Sequence, residues 1–340
     1  MTEIKFEILI VDDDAANRQI MRQILKDKYK LSFAADGVTA IEIAQKGNPD
    51  LILLDVMMTG IDGYETCRRL KSMPVTAHIP VIFATTLAEV DNESRGFEAG
   101  GVDYITKPVS PPIVLHRVAA HLEIFHQRRL CEETVNKRTK ALKESQKAAV
   151  YMLGEAGHYN DTDTGSHIWR MASYAEEIAQ ACGWSAETTD IMTLAAAMHD
   201  VGKIGIPGSI LRKPAKLDPD EWKVIMTHSE IGYRILSKSS TPLFRMSAHI
   251  AHYHHEKWNG TGYPKGLKEQ EIPESARIVA IADVFDALTM VRPYKEAWSV
   301  DKALDEIRKG AGSHFDPHIV ALFLEIRDEI IRLKEFWDNK

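Results

Sequence analysis

From residue 5 to about residue 122, short apolar runs alternate with amphipathic stretches. Ile8 to Val11, Leu31 to Ala35, Leu51 to Leu54, Val81 to Ala84 and Tyr104 to Ile105 predict five strands, with helical periodicity between them. A strand with one wet face alternates apolar and polar residues, whereas Leu51-Ile52-Leu53-Leu54 is apolar throughout. That run requires cover on both faces, so the pattern predicts an α/β doubly wound, five-stranded parallel sheet. Such sheets bind ligands beyond the carboxyl ends of their strands.

The pattern then changes twice. Residues 123–150 are dense in charged and helix-forming residues with no glycine or proline, which predicts a connecting helix. Val135, Leu142 and Ala149 recur every seven residues, but Arg138 and Ser145 fall where a coiled coil wants apolar side chains. A coiled-coil homodimer and a solvated linker helix both remain open. From residue 151 to 340 the periodicity is helical almost throughout, as in Trp169, Ala172, Ala175 and Ile178, or Ile278, Ile281, Ala282 and Phe285, and predicts an all-α domain. The expected organisation is therefore 1–122, a linker over 123–150, and 151–340.

Composition agrees with two ordinary folded domains: 340 residues, 44% hydrophobic and 27% charged. A formal charge of −7 speaks against a nonspecific grip on DNA. The chain lacks an apolar stretch of membrane-spanning length, and its N-terminus runs into Asp12, Asp13 and Asp14 rather than a signal peptide, so neither membrane nor export is expected and the cytoplasm is the default. Cys67, Cys131 and Cys182 are far apart, which fits reduced thiols and excludes a cysteine-based zinc site. Histidine is unevenly spread, with ten of the fourteen after residue 150.

In the first domain, the chemistry gathers at strand ends. Asp12 and Asp13 follow the first strand, Asp55 ends the third, Thr85 the fourth and Lys107 the fifth. Three converging carboxylates repel one another unless a cation joins them, and oxygen ligands suit Mg²⁺; Thr85 and Lys107 are placed to hold an anion beside it. VDDD, LLDVMM, ATT and YITKP, in this order, resemble the receiver domain of two-component response regulators. The resemblance implies that Asp55 accepts a phosphoryl group from a sensor histidine kinase, that Asp12 and Asp13 help bind Mg²⁺, and that Thr85 and Lys107 contact the phosphoryl oxygens. Tyr104 matches the aromatic whose rotamer reports that state. Thr59 stands where the family usually has proline, and is expected to alter the loop beside Asp55 without touching a ligand.

In the second domain, His199 and Asp200 close an apolar helix, IMTLAAAMHD, before a glycine-punctuated turn that carries Lys203. Lys203 reaches the same side if the last helical turn persists. Asp163 lies four residues before His167, His228 ends VIMTH, His254 and His255 are adjacent, and Asp283 interrupts the apolar IVAIADVFDAL. A carboxylate in such a helix needs a partner. Five histidines and three aspartates without a thiolate suit Fe, Mn, Zn or Ni and exceed one tetrahedral ion, so more than one metal is implied. Asp200 is best placed to bridge two ions, and Lys203 to neutralise charge growing on a phosphate. His158, His249, His252, His314 and His318 read as structural or surface residues.

HDVGK, HHEKWNGTGYP and ADVFDAL together resemble the HD-GYP branch of the HD phosphohydrolases. The resemblance implies hydrolysis of cyclic di-GMP to pGpG, in some members onward to GMP, with metal ligands at His167, His199, Asp200, His228, His254, His255 and Asp283. It also implies nucleotide contacts at Tyr263 of the Gly262-Tyr263-Pro264 triplet and phosphate contacts at Arg292 and Lys295. An acidic residue at the offset of Asp163 is associated in the family with a third metal, so two or three divalent ions are expected; an N-terminal helix cap remains the other reading of Asp163. His158-Tyr159-Asn160-Asp161 departs from the family's usual text. Two other functions compete: a slow module that binds cyclic di-GMP and engages a protein through its GYP surface, and hydrolysis of another nucleotide.

Overall fold

The computed structural model describes residues 6–86, 93–158, 165–290 and 296–339. Two compact units divide the chain, Met1–Thr139 and Lys140–Lys340. In the first, strands and helices alternate: β1 (Glu7–Val11), α1 (Ala15–Leu25), β2 (Lys30–Ala34), α2 (Gly37–Gly47), β3 (Leu51–Asp55), α3 (Gly63–Ser72), β4 (Val81–Thr86), α4 (Glu93–Glu98) and β5 (Asp103–Lys107). All pairings are parallel, in the order β2-β1-β3-β4-β5. Leu9, Val11, Ile52, Leu54 and Phe83 enter one core and Ile8, Ile10, Leu51, Leu53 and Ile82 another, which is why the strand text is apolar without alternation. Asp14, Asp36 and Asp62 each cap a following helix by accepting a backbone N–H, so α1, α2 and α3 start soon after their preceding elements.

The register sets the site. Val11 pairs with Leu54, Asp55 with Ala84 and Thr86 with Lys107, which lines the carboxyl ends of β1, β3, β4 and β5 along one edge. After β5 comes α5 (Pro111–His158), which begins well before the linker expected from residue 123. Val114, Val118 and Leu122 bury its first turns against the sheet, and no breaker separates that amphipathic stretch from the charged one that follows.

The second unit continues with α6 (Gly165–Ala181), α7 (Ala186–Ala196), a 3₁₀ turn over Val201–Gly205, α8 (Gly208–Leu211), α9 (Pro219–Leu236), α10 (Pro242–Tyr253), α11 (Glu274–Thr289), α12 (Val300–Gly310), α13 (Pro317–Glu325) and α14 (Arg327–Asp338). Phe285 packs edge-on against Tyr174 and Phe323, at 5.2 and 5.4 Å between ring centroids, and ties α6, α11 and α13 into one core. No helix among the described residues is long and apolar enough to cross a membrane.

The three thiols differ in access. Burial pushes Cys67 and Cys182 up to about 11, while Cys131 is exposed on α5. At pH 8 a thiol of that pKa is only about one-thousandth ionised, and the thiolate is the reacting form. A disulfide reagent at pH 8 is therefore expected to modify Cys131 at least about 100-fold faster than Cys67 or Cys182, with the gap narrowing as pH rises toward 10. Three equally fast thiols in the folded protein would contradict this placement.

Candidate functional site

At the receiver's sheet edge, Asp12, Asp13 and Asp55 each bring a carboxylate oxygen within 4.8 Å of the others. Lys107 reaches across from β5, its Nζ 2.8 Å from Asp12 Oδ2 and 2.7 Å from Asp55 Oδ1. Burial raises the Asp55 carboxyl above its ordinary pKa against the pull of Lys107. Burial works against the Lys107 ammonium, but the two carboxylates outweigh it and hold its pKa above the ordinary value. Asp12 Oδ1 accepts from the Asp14 N–H at 2.9 Å and from Asn17 at 3.2 Å. Thr85 is buried at the end of β4. Arg117 stands over the Tyr104 ring, 5.3 Å from its centroid.

Thr59 corrects an expectation. Its backbone N–H donates to Asp13 Oδ2 at 3.0 Å, so it does touch a candidate ligand. Proline at this position has no N–H to give, and the bond exists only because the residue is not proline.

In the second unit the sequence-distant histidines meet. His167, His199 and Asp283 form one group, and Asp200, His228, His254 and His255 a second; within each, ligand-type atoms lie within 4.8 Å of one another. The local structure around Asp200 differs from the sequence expectation. Helix α7 stops at Ala196, so His199 and Asp200 lie beyond it, leading into the 3₁₀ turn. Three residues per turn then stack Lys203 on Asp200 rather than on His199, with Lys203 Nζ 2.7 Å from Asp200 Oδ2. A Cβ on Gly202 would lie 1.9 Å from the His228 carbonyl oxygen, so glycine is what lets this turn press against α9.

The imidazoles are oriented from behind. Nδ1 of His199, His228 and His254 lies 2.9, 2.7 and 2.9 Å from the carbonyl oxygens of Ala196, Ile225 and Ile250. A carbonyl only accepts, so each Nδ1 carries the proton and each neutral ring presents Nε2 as a lone pair. Those atoms point at Asp200: His199 Nε2 is 3.2 Å from Oδ2, and His228 and His254 Nε2 are 3.3 and 3.7 Å from Oδ1. Nε2 of His254 is buried with no hydrogen-bond partner among the described residues. Lone pairs directed at a carboxylate repel it unless a cation lies among them. The donor set and the orphaned nitrogen thus fit divalent metal ions. Burial depresses His199 and His255 below the ordinary histidine value and takes His228 down to about 4, which keeps these rings in the neutral, ligating form at pH 7.

Tyr263 stacks on His255 at 4.8 Å between centroids, and its ring stands edge-on to His228 at 6.4 Å. Asp163, Arg292 and Lys295 lie outside the described residues, as do residues 159–161 of the departing segment. Two residues escaped the sequence reading. Asp286, one turn after Asp283 on α11, accepts from Arg170, and its Oδ2 lies 2.5 Å from His167 Nδ1. Burial alone would raise the Asp286 pKa, but His167 and Arg170 outweigh it and hold the carboxyl below its ordinary value. The available signal was the matched three-residue spacing of His167 with Arg170 and of Asp283 with Asp286, each pair on one helical face.

Fold and site define a receiver joined to a helical, histidine-rich metal-binding unit, and comparison with known proteins gives the family. A model described as the response regulator receiver domain matches residues 8–119, and one described as the HD domain matches residues 129–319. The chain is 40% identical over 338 residues to a probable cyclic di-GMP phosphodiesterase of Vibrio cholerae, covering 93% of this chain and 77% of that one. It is 37% identical over 342 residues to the cyclic di-GMP phosphodiesterase response regulator RpfG of Xanthomonas campestris, covering 96% and 89%. A third relative, 3'3'-cGAMP-specific phosphodiesterase 2 of Vibrio cholerae, is 44% identical over 193 residues, covering 57% of this chain and 37% of that one. The chain belongs to the HD domain family, as a response regulator with an N-terminal receiver, which is the membership its motifs imply.

Removing Asp286 would strand the buried Arg170 guanidinium and free His167 to turn. Asp286→Ala is expected to destabilise the second unit by about 3–5 kcal/mol, and Asp286→Asn by less, because an amide still accepts from Arg170. All six tryptophans, from Trp169 to Trp337, belong to this unit, so urea unfolding followed by tryptophan fluorescence reads it selectively. An unchanged midpoint for Asp286→Ala would refute this role.

Proposed function

We propose that this response regulator hydrolyses cyclic di-GMP to pGpG at the histidine and aspartate site, under the control of phosphorylation at Asp55 by a sensor histidine kinase. The observation that carries the reading is that His199, His228 and His254 aim Nε2 at the buried Asp200 carboxylate, with His255 in the same group and with His167 and Asp283 grouped with His199. These residues would hold two divalent ions, Fe or Mn by first expectation, with Zn or Ni also suited to the mixed imidazole and carboxylate donors; Asp163 would add a third. Bound there, the ions would supply Lewis acidity toward the phosphoryl oxygens and the attacking water. Asp200 would bridge, and Lys203, now on Asp200, would turn its charge to the phosphate as negative charge develops. Tyr263 offers its ring to a base, with Arg292 and Lys295 assigned to the phosphates.

In the receiver, Asp12 and Asp13 would hold Mg²⁺ beside Asp55, with Thr85 and Lys107 on the phosphoryl oxygens. The receiver is taken as residues 1–122, the connector as 123–150 and the output domain as 151–340. Val135 and Leu142 on α5 are 54% and 70% exposed, which supports pairing of two copies through the connector. The nucleotide substrate and three free cysteines favour the cytoplasm. The relative named for 3'3'-cGAMP supports a second reading, in which that dinucleotide is the better substrate. A module that binds the nucleotide and engages a protein partner through the GYP surface is separated from the enzyme by its turnover.

Metal-loaded protein, given cyclic di-GMP and 3'3'-cGAMP in parallel, is expected to release pGpG from the first with the higher kcat/KM. Preference for the second would select the second reading, and binding without turnover would select the module. Asp200→Ala is expected to lose at least one metal ion by elemental analysis and to lower hydrolysis at least about 10³-fold. Retention of both metal and rate would overturn the bridging role. Beryllofluoride or acetyl phosphate is expected to modify the receiver only with Mg²⁺ present, and not at all in Asp55→Ala; mass spectrometry showing label on that variant would reject the phosphoacceptor.

A further inference from the structure

Glu256 follows His254 and His255 directly, where a charged residue ordinarily points to solvent. It does not: only 2% of it is exposed. Its Oε1 accepts from the N–H groups of Lys265 and Gly266 at 2.7 and 3.0 Å, and its Oε2 from Leu267 at 3.1 Å. Three successive amides turned toward one point form a concave anion site, made possible by the left-handed conformation of Gly266 at φ +69°. A carboxylate carries lone pairs enough for all three and no hydrogen to oppose them. The loop that leaves at Lys257 and returns at Leu267 is thereby tied to the residue from which it springs.

The rest of the loop is drawn in around that tie. Trp258 and Asn259 donate their N–H groups to the carbonyls of His314 and Ser313, both at 3.0 Å. The Tyr263 N–H donates to the His255 carbonyl at 3.3 Å, and the Tyr263 ring stacks on the His255 ring. Gly262 passes so close to the base of the loop that a Cβ would lie 2.5 Å from Glu256 Cα and 2.3 Å from the Lys257 nitrogen. Tyr263 is thus anchored on His255 from one side, and residues 265–267, gathered by Glu256, close the loop from the other.

We propose that Glu256 is the positioning residue of the GYP loop: by gathering the amides of Lys265, Gly266 and Leu267 it fixes the Tyr263 ring over His255, where the ring receives the substrate. Glu256 touches neither substrate nor metal, and its effect is exerted through the loop. The kinetic part of this inference rests on the phosphodiesterase reading, whereas the ordering of the loop does not.

The test compares Glu256→Gln with the full-length protein by hydrogen–deuterium exchange and, on cyclic di-GMP, by steady-state kinetics. Gln keeps the shape but replaces one acceptor with an amide NH₂ that faces donors. Exchange in residues 259–268 is expected to rise at least about tenfold while α6 and α11 stay protected, and metal content is expected to remain at the wild-type value. KM is expected to rise about tenfold with kcat within about threefold, because the stacking surface is lost and the metal ligands are kept. Gly262→Ala, which displaces the loop with Glu256 intact, is expected to reproduce the KM rise; if Glu256→Gln fails to fold, Glu256→Asp, which keeps both acceptor oxygens on a shorter arm, replaces it in the exchange and kinetic comparison, with the same rise in exchange and in KM expected. Exchange unchanged within twofold would overturn the proposal, as would a fall in kcat with KM constant or a loss of metal. If the wild-type protein hydrolyses no cyclic dinucleotide, the phosphodiesterase reading fails and the exchange result alone decides the role of Glu256 in the loop.

Discussion

A carboxylate faced by the lone pairs of three imidazoles is the constraint on which the second unit depends. Backbone carbonyls at Ala196, Ile225 and Ile250 take the Nδ1 protons of His199, His228 and His254, so their Nε2 atoms meet Asp200 as acceptors meeting an acceptor. Lys203 places positive charge on one oxygen of that carboxylate. The directions of these rings are set by packing: α7, the 3₁₀ turn, α9 and α10 are fixed by the surrounding core, and the turn rests directly on the His228 carbonyl. Rings held in this way from behind suit a cation site, since they would need no reorientation to present Nε2 to an ion.

The candidate metal groups of the two units follow different chemistry. At the receiver's sheet edge the candidate donors are carboxylate oxygens at the ends of strands, with a lysine between two of them. In the helical unit, imidazoles outnumber carboxylates in both groups, and burial holds His199, His228 and His255 below the ordinary histidine value. The first set suits an ion that exchanges water and tolerates little nitrogen. The second suits transition metals held between helices, so donor type alone separates two ion chemistries within one polypeptide.

What the sequence made legible, and what it did not, follows from the range of the interactions. The strand text and the residues ending each strand could be read locally, because a parallel sheet in register carries such residues to one edge; the histidine and aspartate strings were legible because each is a short motif. The end of α7 was misplaced because the apolar text runs through His199, although the helix gives way after Ala196 to a tighter turn that reassigns Lys203 to Asp200. The ion pair of Asp286 with Arg170 crosses from α11 to α6, so the three-residue spacing within each helix marked a shared face but not the partner. Thr59 acts through its backbone, which side-chain reasoning passes over.

Glu256 and His254 show how closely ligand and loop geometry are joined. His254 caps α10: its N–H and its Nδ1 both meet the Ile250 carbonyl, at 3.0 and 2.9 Å, so the end of the helix itself sets the direction of the imidazole. Two residues later, Glu256 turns inward and gathers the amides that close the loop. His255 stands between them with its ring against His254 on one side and Tyr263 on the other, at 3.9 and 4.8 Å between centroids. A change that tilts the last turn of α10 therefore moves the His254 ring, its neighbour His255 and the stacked tyrosine together. Substitutions within this stretch share partners, and shared partners make their effects non-additive. The segment from His254 to Leu267 thus carries two separate sets of hydrogen bonds, those to the Ile250 carbonyl that aim the His254 ring and those to Glu256 that close the GYP loop.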